Sequence, residues 1–324
     1  MEFFISQSLI FIIPLLVVAL AGMFSEKSGT VNIALEGLMI IGALTGVIFI
    51  NLMQAQGFLA NSPQLLFILA VIVSAISGLL FSSLLAFLAI NMRADQVIGG
   101  TALNIMAAAL AVFVGRQFFD FPIPFNRDVF VLRSSFLENV FPSLNYIFFH
   151  QAFLSFYIGI LILVVSTIVI FKTRFGSRLS ACGEHPEAAQ SVGINVYRYR
   201  WTGVLISGAL GGIGGLFYAV PTAVSFGGSV SGYGFLALAV LIFGQWKPIR
   251  IFFAAIFFGM FKALSVTFFN FDFINNLISR YENIPFGTFF KILPFVATMV
   301  ALVIFSKSSK APKASGKPFN PKGV

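Results

Sequence analysis

Apolar residues in this chain fall in long unbroken runs, without the strict alternation of a half-buried strand. Crossing the ~30 Å hydrocarbon core of a bilayer takes about 20 helical residues. Runs of roughly that length occupy 6–24, 30–51, 64–90, 97–116, 152–171, 201–220, 233–246, 249–269 and 287–305. They predict an all-α polytopic membrane protein of about nine transmembrane helices (8–10), some of them discontinuous. Trp201 to Trp246 holds no charge, yet two passes must fit there around Pro221 and the Gly/Ser-rich stretch Ser225–Gly234. Short, Gly-interrupted passes are the mark of broken helices, whose free ends and carbonyls flank a solute path. The 30–51 run is unusual too, opening with Asn32 and carrying Glu36. It and the 233–246 run point in opposite directions, which fits an inverted repeat of the first four passes in the last four.

The polar segments between the runs set an orientation. Alternation places the loops near 25–29, 91–96, 172–200 and 246–250 on one side, together with the tail after 305. These segments hold most of the basic residues, among them Lys27, Arg93, Arg174, Arg178, Arg198, Arg200, Lys247 and Arg250. The opposite loops carry Asp120, Asp128, Glu138, Asp272 and Glu282. The positive-inside rule makes the basic side cytoplasmic, so the N-terminus is expected outside and the C-terminus inside the plasma membrane. Residues 1–305 form one membrane domain, with a cytoplasmic loop at 172–200 and an extracellular segment at 117–151. The tail 306–324, rich in Lys, Ser and Pro, is expected to be disordered near anionic headgroups. The first run follows the acidic Glu2 and is read as a retained span, not a signal peptide.

Composition agrees: 58% of the 324 residues are hydrophobic and 10% charged, and the mean hydropathy is +0.97. The net charge of +9 sits in loops and tail with no basic face, so no nucleic-acid partner is expected. Cys182 is the single cysteine, which excludes an intrachain disulfide and cysteine-cluster metal sites. The two histidines, His150 and His185, fall on opposite sides of the membrane, so they cannot pair on a metal. The chain contains no HExxH, GxSxG or GxxxxGK[ST] motif. An enzyme is therefore not expected, and any ATP that drives transport binds to another subunit.

The loop 172–200 reads KTRFGSRLSACGEHPEAAQSVGINVYRYR. Pro186 is placed to begin a helix, Glu184 and Glu187 sit near its positive end, and Gly193 ends it after Val192. Such a helix has only about two turns and cannot hold itself together in water. Ala188, Ala189 and Val192 give it an apolar face that must dock, either on its own membrane domain or in a partner's groove.

GEHPEAAQSVGINVYRYRWTGVLISGALGGIGG resembles the coupling loop and following helix of permeases in the branched-chain amino acid, simple sugar and nucleoside ABC importers. FSEKSGTVNIALEGLMIIGALTG (24–46), NMRADQVIGGTALNIMA (91–107) and GYGFLALAVLIFGQWKP (232–248) resemble the same group, in the right order over roughly residues 20–300. SEKSGTVNIALEG and GINVYRYR look most like the nucleoside permeases. The resemblance implies a permease subunit of an ATP-driven importer, paired with a second permease, identical or homologous. Two cytosolic ATPase subunits would carry ATP and Mg, and an extracellular substrate-binding lipoprotein would deliver solute. By resemblance, Glu184, His185, Pro186, Glu187, Ala188, Ala189, Val192 and Gly193 form the element that couples to the ATPase. Sugar or branched-chain amino acid transport is the alternative, and a secondary transporter the more distant one.

Candidates for the solute path are Asn32, Glu36, Thr101, Asn104, Tyr233 and Phe235. Glu36 can serve either as a packing anchor or in the pathway. Thr101 and Asn104, one turn apart, can line the path or act as interhelical glue. Ser207, Gly211 and Gly215 recur every four residues, a stripe that permits close helix packing. Lys262 departs from the pattern of the resemblance, lying well inside a pass where it must snorkel or pair.

Overall fold

The computed structural model describes residues 2–132, 152–268 and 311–319, with scattered helical positions between 289 and 303. The helices are α1 (Glu2–Lys27), α2 (Leu35–Ala55), α3 (Pro63–Ala86), α4 (Gln96–Phe118), α5 (Leu154–Lys172), α6 (Arg174–Glu184), α7 (Pro186–Ser191), α8 (Val196–Thr222), α9 (Tyr233–Phe243) and α10 (Pro248–Thr267). Among the described residues, seven helices are long and apolar enough to span a membrane: α1, α2, α3 with its π-helical extension to Asn91, α4, α5, α8 and α10. The seventh expected pass, 233–246, is the short helix α9. Its 11 residues rise about 16 Å, roughly half a bilayer core. The ninth, 287–305, lies largely outside the described residues.

Small residues put α8 at the centre. A side chain at Gly212 would strike the backbone of α3 at Ser74, and one at Gly215 would strike the backbone of α2 at Met39. Gly211 faces Leu38 of α2, Gly208 faces Ser82 of α3, and Gly214 faces Val18 of α1. The glycines thus let three helices approach one axis closely, which is how helices gain contact in a solvent as apolar as themselves. The α1 helix is apolar all round and buried along most of its length (Leu15 to Ala21 are 0% exposed). By contrast, α4 and α5 show large apolar side chains outward, Ile105, Phe113, Leu161 and Ile168 among them.

The loops sort into two ends. At one end Trp246 Nε1 donates to Glu26 Oε2 at 2.6 Å and Val31 N–H to Gln96 Oε1 at 2.7 Å. There too, Trp201 Nε1 donates to Asn91 Oδ1 at 3.0 Å. These bonds gather the ends of α1, α3 and α9 with the starts of α4 and α8, and Gly183 of loop 172–200 packs against the Lys27 carbonyl there, so the basic loops share one end. At the other end two-residue strands β1 (Ile123–Pro124) and β4 (Ser225–Phe226) pair antiparallel, as do β2 (Val131–Leu132) and β3 (Ala152–Phe153). Asn51 and Gln54 of α2 hold this segment by its carbonyls, and Arg127 donates to the Pro221 carbonyl at 2.9 Å. The segment expected at 117–151 is thus a packed cap over its described part, 119–132.

The tail differs from expectation. Residues 311–319 fold back onto the basic end, with Ala314 N–H donating to the Gly183 carbonyl at 2.8 Å and Phe319 only 6% exposed. Composition argued for disorder, yet one aromatic and backbone hydrogen bonds suffice to dock this stretch. The rest of 306–324 lies outside the described residues.

Candidate functional site

Two places concentrate polar chemistry. The first lies within the bundle, where two helices begin. After α1 the chain runs non-helical from Ser28 to Ala34, buried nearly throughout, and α2 starts only at Leu35. The α9 helix likewise starts inside the bundle, after the turn at Ser231 and Gly232, both at positive φ. The two starts touch: a side chain at Gly234 would collide with the backbone of Glu36. Only glycine permits that approach.

Glu36 joins them. Its Oε1 accepts from Gly232 N–H at 2.9 Å and its Oε2 from Gly234 N–H at 2.6 Å. The carboxylate therefore caps a neighbouring helix, occupying the free N–H groups where the positive end of the α9 dipole lies. On the other flank Asn104 clamps α2, accepting from Gly37 N–H at 2.7 Å and donating to the Ile33 carbonyl at 2.9 Å. Asn32 Nδ2 donates to Ser207 Oγ at 2.8 Å. Counting eight residues of helical rise from Gln96 to Asn104 puts this junction about 12 Å inside the basic end.

The six candidate path residues divide. Asn32, Glu36, Asn104 and Tyr233 are buried and hold backbone or pack, whereas Thr101 and Phe235 are exposed. Thr101 and Asn104 do not share a face: Asn104 turns to α2, and the Thr101 hydroxyl donates to its own helix at Ile98. Tyr233 lies against Tyr218 (ring centroids 4.3 Å apart) and under Lys262, whose Nζ stands 5.7 Å from the Tyr233 ring. Lys262 thus meets an aromatic face, a favourable position for a cation away from water. Asn104→Leu is expected to lower the amount of assembled protein while leaving uptake per assembled complex unchanged, because both ends of its amide bind backbone. Quantifying membrane-inserted chain beside uptake checks this.

The second place is loop 172–200. Thr173 caps α6 through Gly176 N–H, Pro186 opens α7, and Gly193, at φ +83, ends it. Glu184, His185, Glu187, Ala188, Val192 and Gly193 are exposed, while Ala189 is buried against Cys182, Val196 and Phe319. The apolar face expected of Ala188, Ala189 and Val192 therefore splits. Ala189 seats the helix on its own protein, and Val192, 74% exposed, stands free beside Ala188. Clefts of about 400 Å³ and 730 Å³ flank α7. Burial pushes the Cys182 thiol up to about 11, with Arg200 opposing only in part, so this cysteine is an inert packing group.

Inspection of the sequence missed Glu26, Gln96 and Arg200 as structural polar groups. Glu26 carried a signal, a carboxylate directly after an apolar run. Arg200 carried none, since its burial (1% exposed) depends on the returning tail. Among the described residues no group of His, Cys, Asp and Glu is arranged to hold a metal ion.

Comparison with known proteins agrees with this architecture. Over 318 residues the chain is 40% identical to the nucleoside ABC transporter permease protein NupC of Lactococcus lactis, covering 98% of this chain and 96% of that one. It is 39% identical over 322 residues to the guanosine ABC transporter permease protein NupQ of Bacillus subtilis, covering 97% and 95%. It is also 28% identical over 261 residues to a second Lactococcus lactis protein, the nucleoside ABC transporter permease protein NupB, covering 76% and 68%. No solved structure matches it significantly. Residues 4–307 match the family described as branched-chain amino acid transport system / permease component, and with helices built to span a membrane along that length, the chain belongs to this permease family.

Proposed function

We propose that this permease imports nucleosides as one half of a heteromeric pathway driven by a separate ATPase. The observation that carries the substrate is the identity of 39–40% along nearly the whole chain to permeases named for nucleoside and guanosine transport. The partner permease is a homologous, non-identical chain: Lactococcus lactis has both NupC and the more distant NupB, and both resemble this sequence. ATP and Mg bind the ATPase, and a substrate-binding lipoprotein delivers solute at the capped outer end.

The junction of α2 and α9 frames the path. Asn32, Glu36, Asn104 and Tyr233 fix the two helix starts, and exposed Thr101 and Phe235 meet the solute. A nucleoside has a flat apolar base and a ribose rich in hydroxyls, which suits an aromatic wall with a few polar groups. At the basic end α7 couples to the ATPase through the exposed Glu187, Ala188 and Val192, beside Gly193. Glu184, His185 and Pro186 lead into the helix, and the buried Ala189 seats it.

Two experiments test this reading. Affinity-tagged chain solubilised from the membrane is expected to bring down an ATPase and a second permease, and a chain purified alone should hydrolyse no ATP. Orientation is tested in chains with Cys182 replaced. Single cysteines at Ser180 or Ser309 should be shielded from an impermeant thiol reagent in intact cells, and one at Ser135 should label. Labelling at Ser309 from outside would invert the whole frame, because all loops share one parity.

A further inference from the structure

Residues 311–319 make a built contact that nothing in the transport path requires. Pro312, Ala314 and Phe319 are buried, while Lys313, Lys317 and Pro318 are exposed. Pro312 and Gly316 shape a turn, with Gly316 at φ +80 and the Ser315 and Lys317 N–H groups bonded within it. Phe319 fills the hollow between Cys182, Ala189 and Val196, and its ring meets Tyr197 edge-on at 5.6 Å. Beneath it Arg200 donates to the Lys317 carbonyl at 2.9 Å, and its guanidinium lies 5.8 Å from the Phe319 ring. Ala189 is the one buried residue of the short helix α7, and Phe319 packs in the same cluster.

We infer that the C-terminal segment 311–319 is part of the ATPase dock: it clamps the base of α7 and offers Lys313 and Lys317 to acidic side chains of the ATPase. This rests on α7 being the coupling element. Three observations support it. An isolated helix of six residues is unstable in water, so a load-transmitting α7 needs a brace, and Phe319 is placed as one. The 730 Å³ cleft has α7 as one wall and the tail as the other, with Glu187 and Ala188 facing the same opening as Lys313 and Lys317. A partner seated on α7 therefore meets the tail as well. Finally, the brace continues inward. Arg200 lies against Gly29, and Gly316 approaches Val31, so the tail touches the non-helical stretch that ends at the α2 junction. A push on α7 thus has a packed route to Glu36.

Cys182 supplies the reporter, since Phe319 covers it. The full chain is expressed with its ATPase and partner permease, and thiol labelling is followed in inside-out vesicles. Phe319→Ala is expected to raise Cys182 labelling and, at equal amounts of permease pair, to lower retained ATPase about tenfold, as loss of an interface anchor does. Lys313→Glu with Lys317→Glu should lower it similarly while Cys182 stays protected, because these side chains face outward. Wild-type ATPase retention in both variants overturns the proposal, as does unchanged Cys182 labelling in Phe319→Ala. Val192→Arg separates the two levels. If it loses the ATPase while the tail variants keep it, only the tail assignment fails. If it too keeps the ATPase, α7 is not the coupling element and both fail together.

Discussion

Replacing Glu36 with leucine is expected to abolish solute uptake, by the largest margin of any single change in the membrane region. Among the described residues the carboxylate is the acceptor for the Gly232 and Gly234 N–H groups, so its loss leaves one buried and one half-buried donor without it. Hydrogen bonds to a charged group contribute roughly 1.5–3 kcal/mol each, and stranded donors cost comparably. The α9 start would separate from the α2 start, and the path between them would lose its frame. Glu36→Gln should be milder, since its amide oxygen still accepts from one N–H while its NH₂ opposes the other. Uptake per assembled complex is the measurement. If Glu36→Leu transports like the parent, the junction is a bystander.

The second large effect is expected at α7. Ala188→Arg should insert and fold normally, because Ala188 is exposed, yet lose the ATPase and with it all driven uptake. A guanidinium in place of a methyl on a small contact face both clashes and forces a charge to be desolvated. Ala189→Arg is the control in the other sense. That methyl is 4% exposed, so the charge would be driven into the Cys182–Val196–Phe319 cluster and the loop itself should fail. Comparing retained ATPase with the amount of inserted chain distinguishes the two. Wild-type ATPase retention by Ala188→Arg would remove α7 from the coupling role.

Much of this was legible in the sequence, for physical reasons. Hydrocarbon tolerates only segments whose backbone groups are all paired, as in a helix, so long apolar runs mark the passes, and the basic loops share one end. Pro186 and Gly193 bound α7 because one lacks an N–H and the other adopts positive φ without strain. The short run at 233–246 flagged a helix that begins within the bundle. The faces of particular residues were not legible. Asn104 and Thr101 are one turn apart, yet only one meets α2. Tyr233 and Phe235 are two residues apart, one buried under Lys262 and the other 51% exposed. Such choices depend on where neighbouring helices stand, which spacing along one helix does not contain. The tail eluded composition for a different reason. Low hydrophobicity argues against a segment folding alone, but 311–319 is held by a surface already built.

Uptake of labelled solutes separates nucleoside import from sugar or amino acid import. Cells with and without the gene, and cells complemented by the parent chain, are compared for initial uptake of a purine ribonucleoside, a pyrimidine ribonucleoside, glucose and leucine at micromolar concentration. For a nucleoside importer, deletion should remove saturable ribonucleoside uptake, complementation should restore it, and glucose and leucine uptake should be unaffected. Ribonucleoside uptake unchanged by deletion, with loss of glucose or leucine uptake instead, would contradict it.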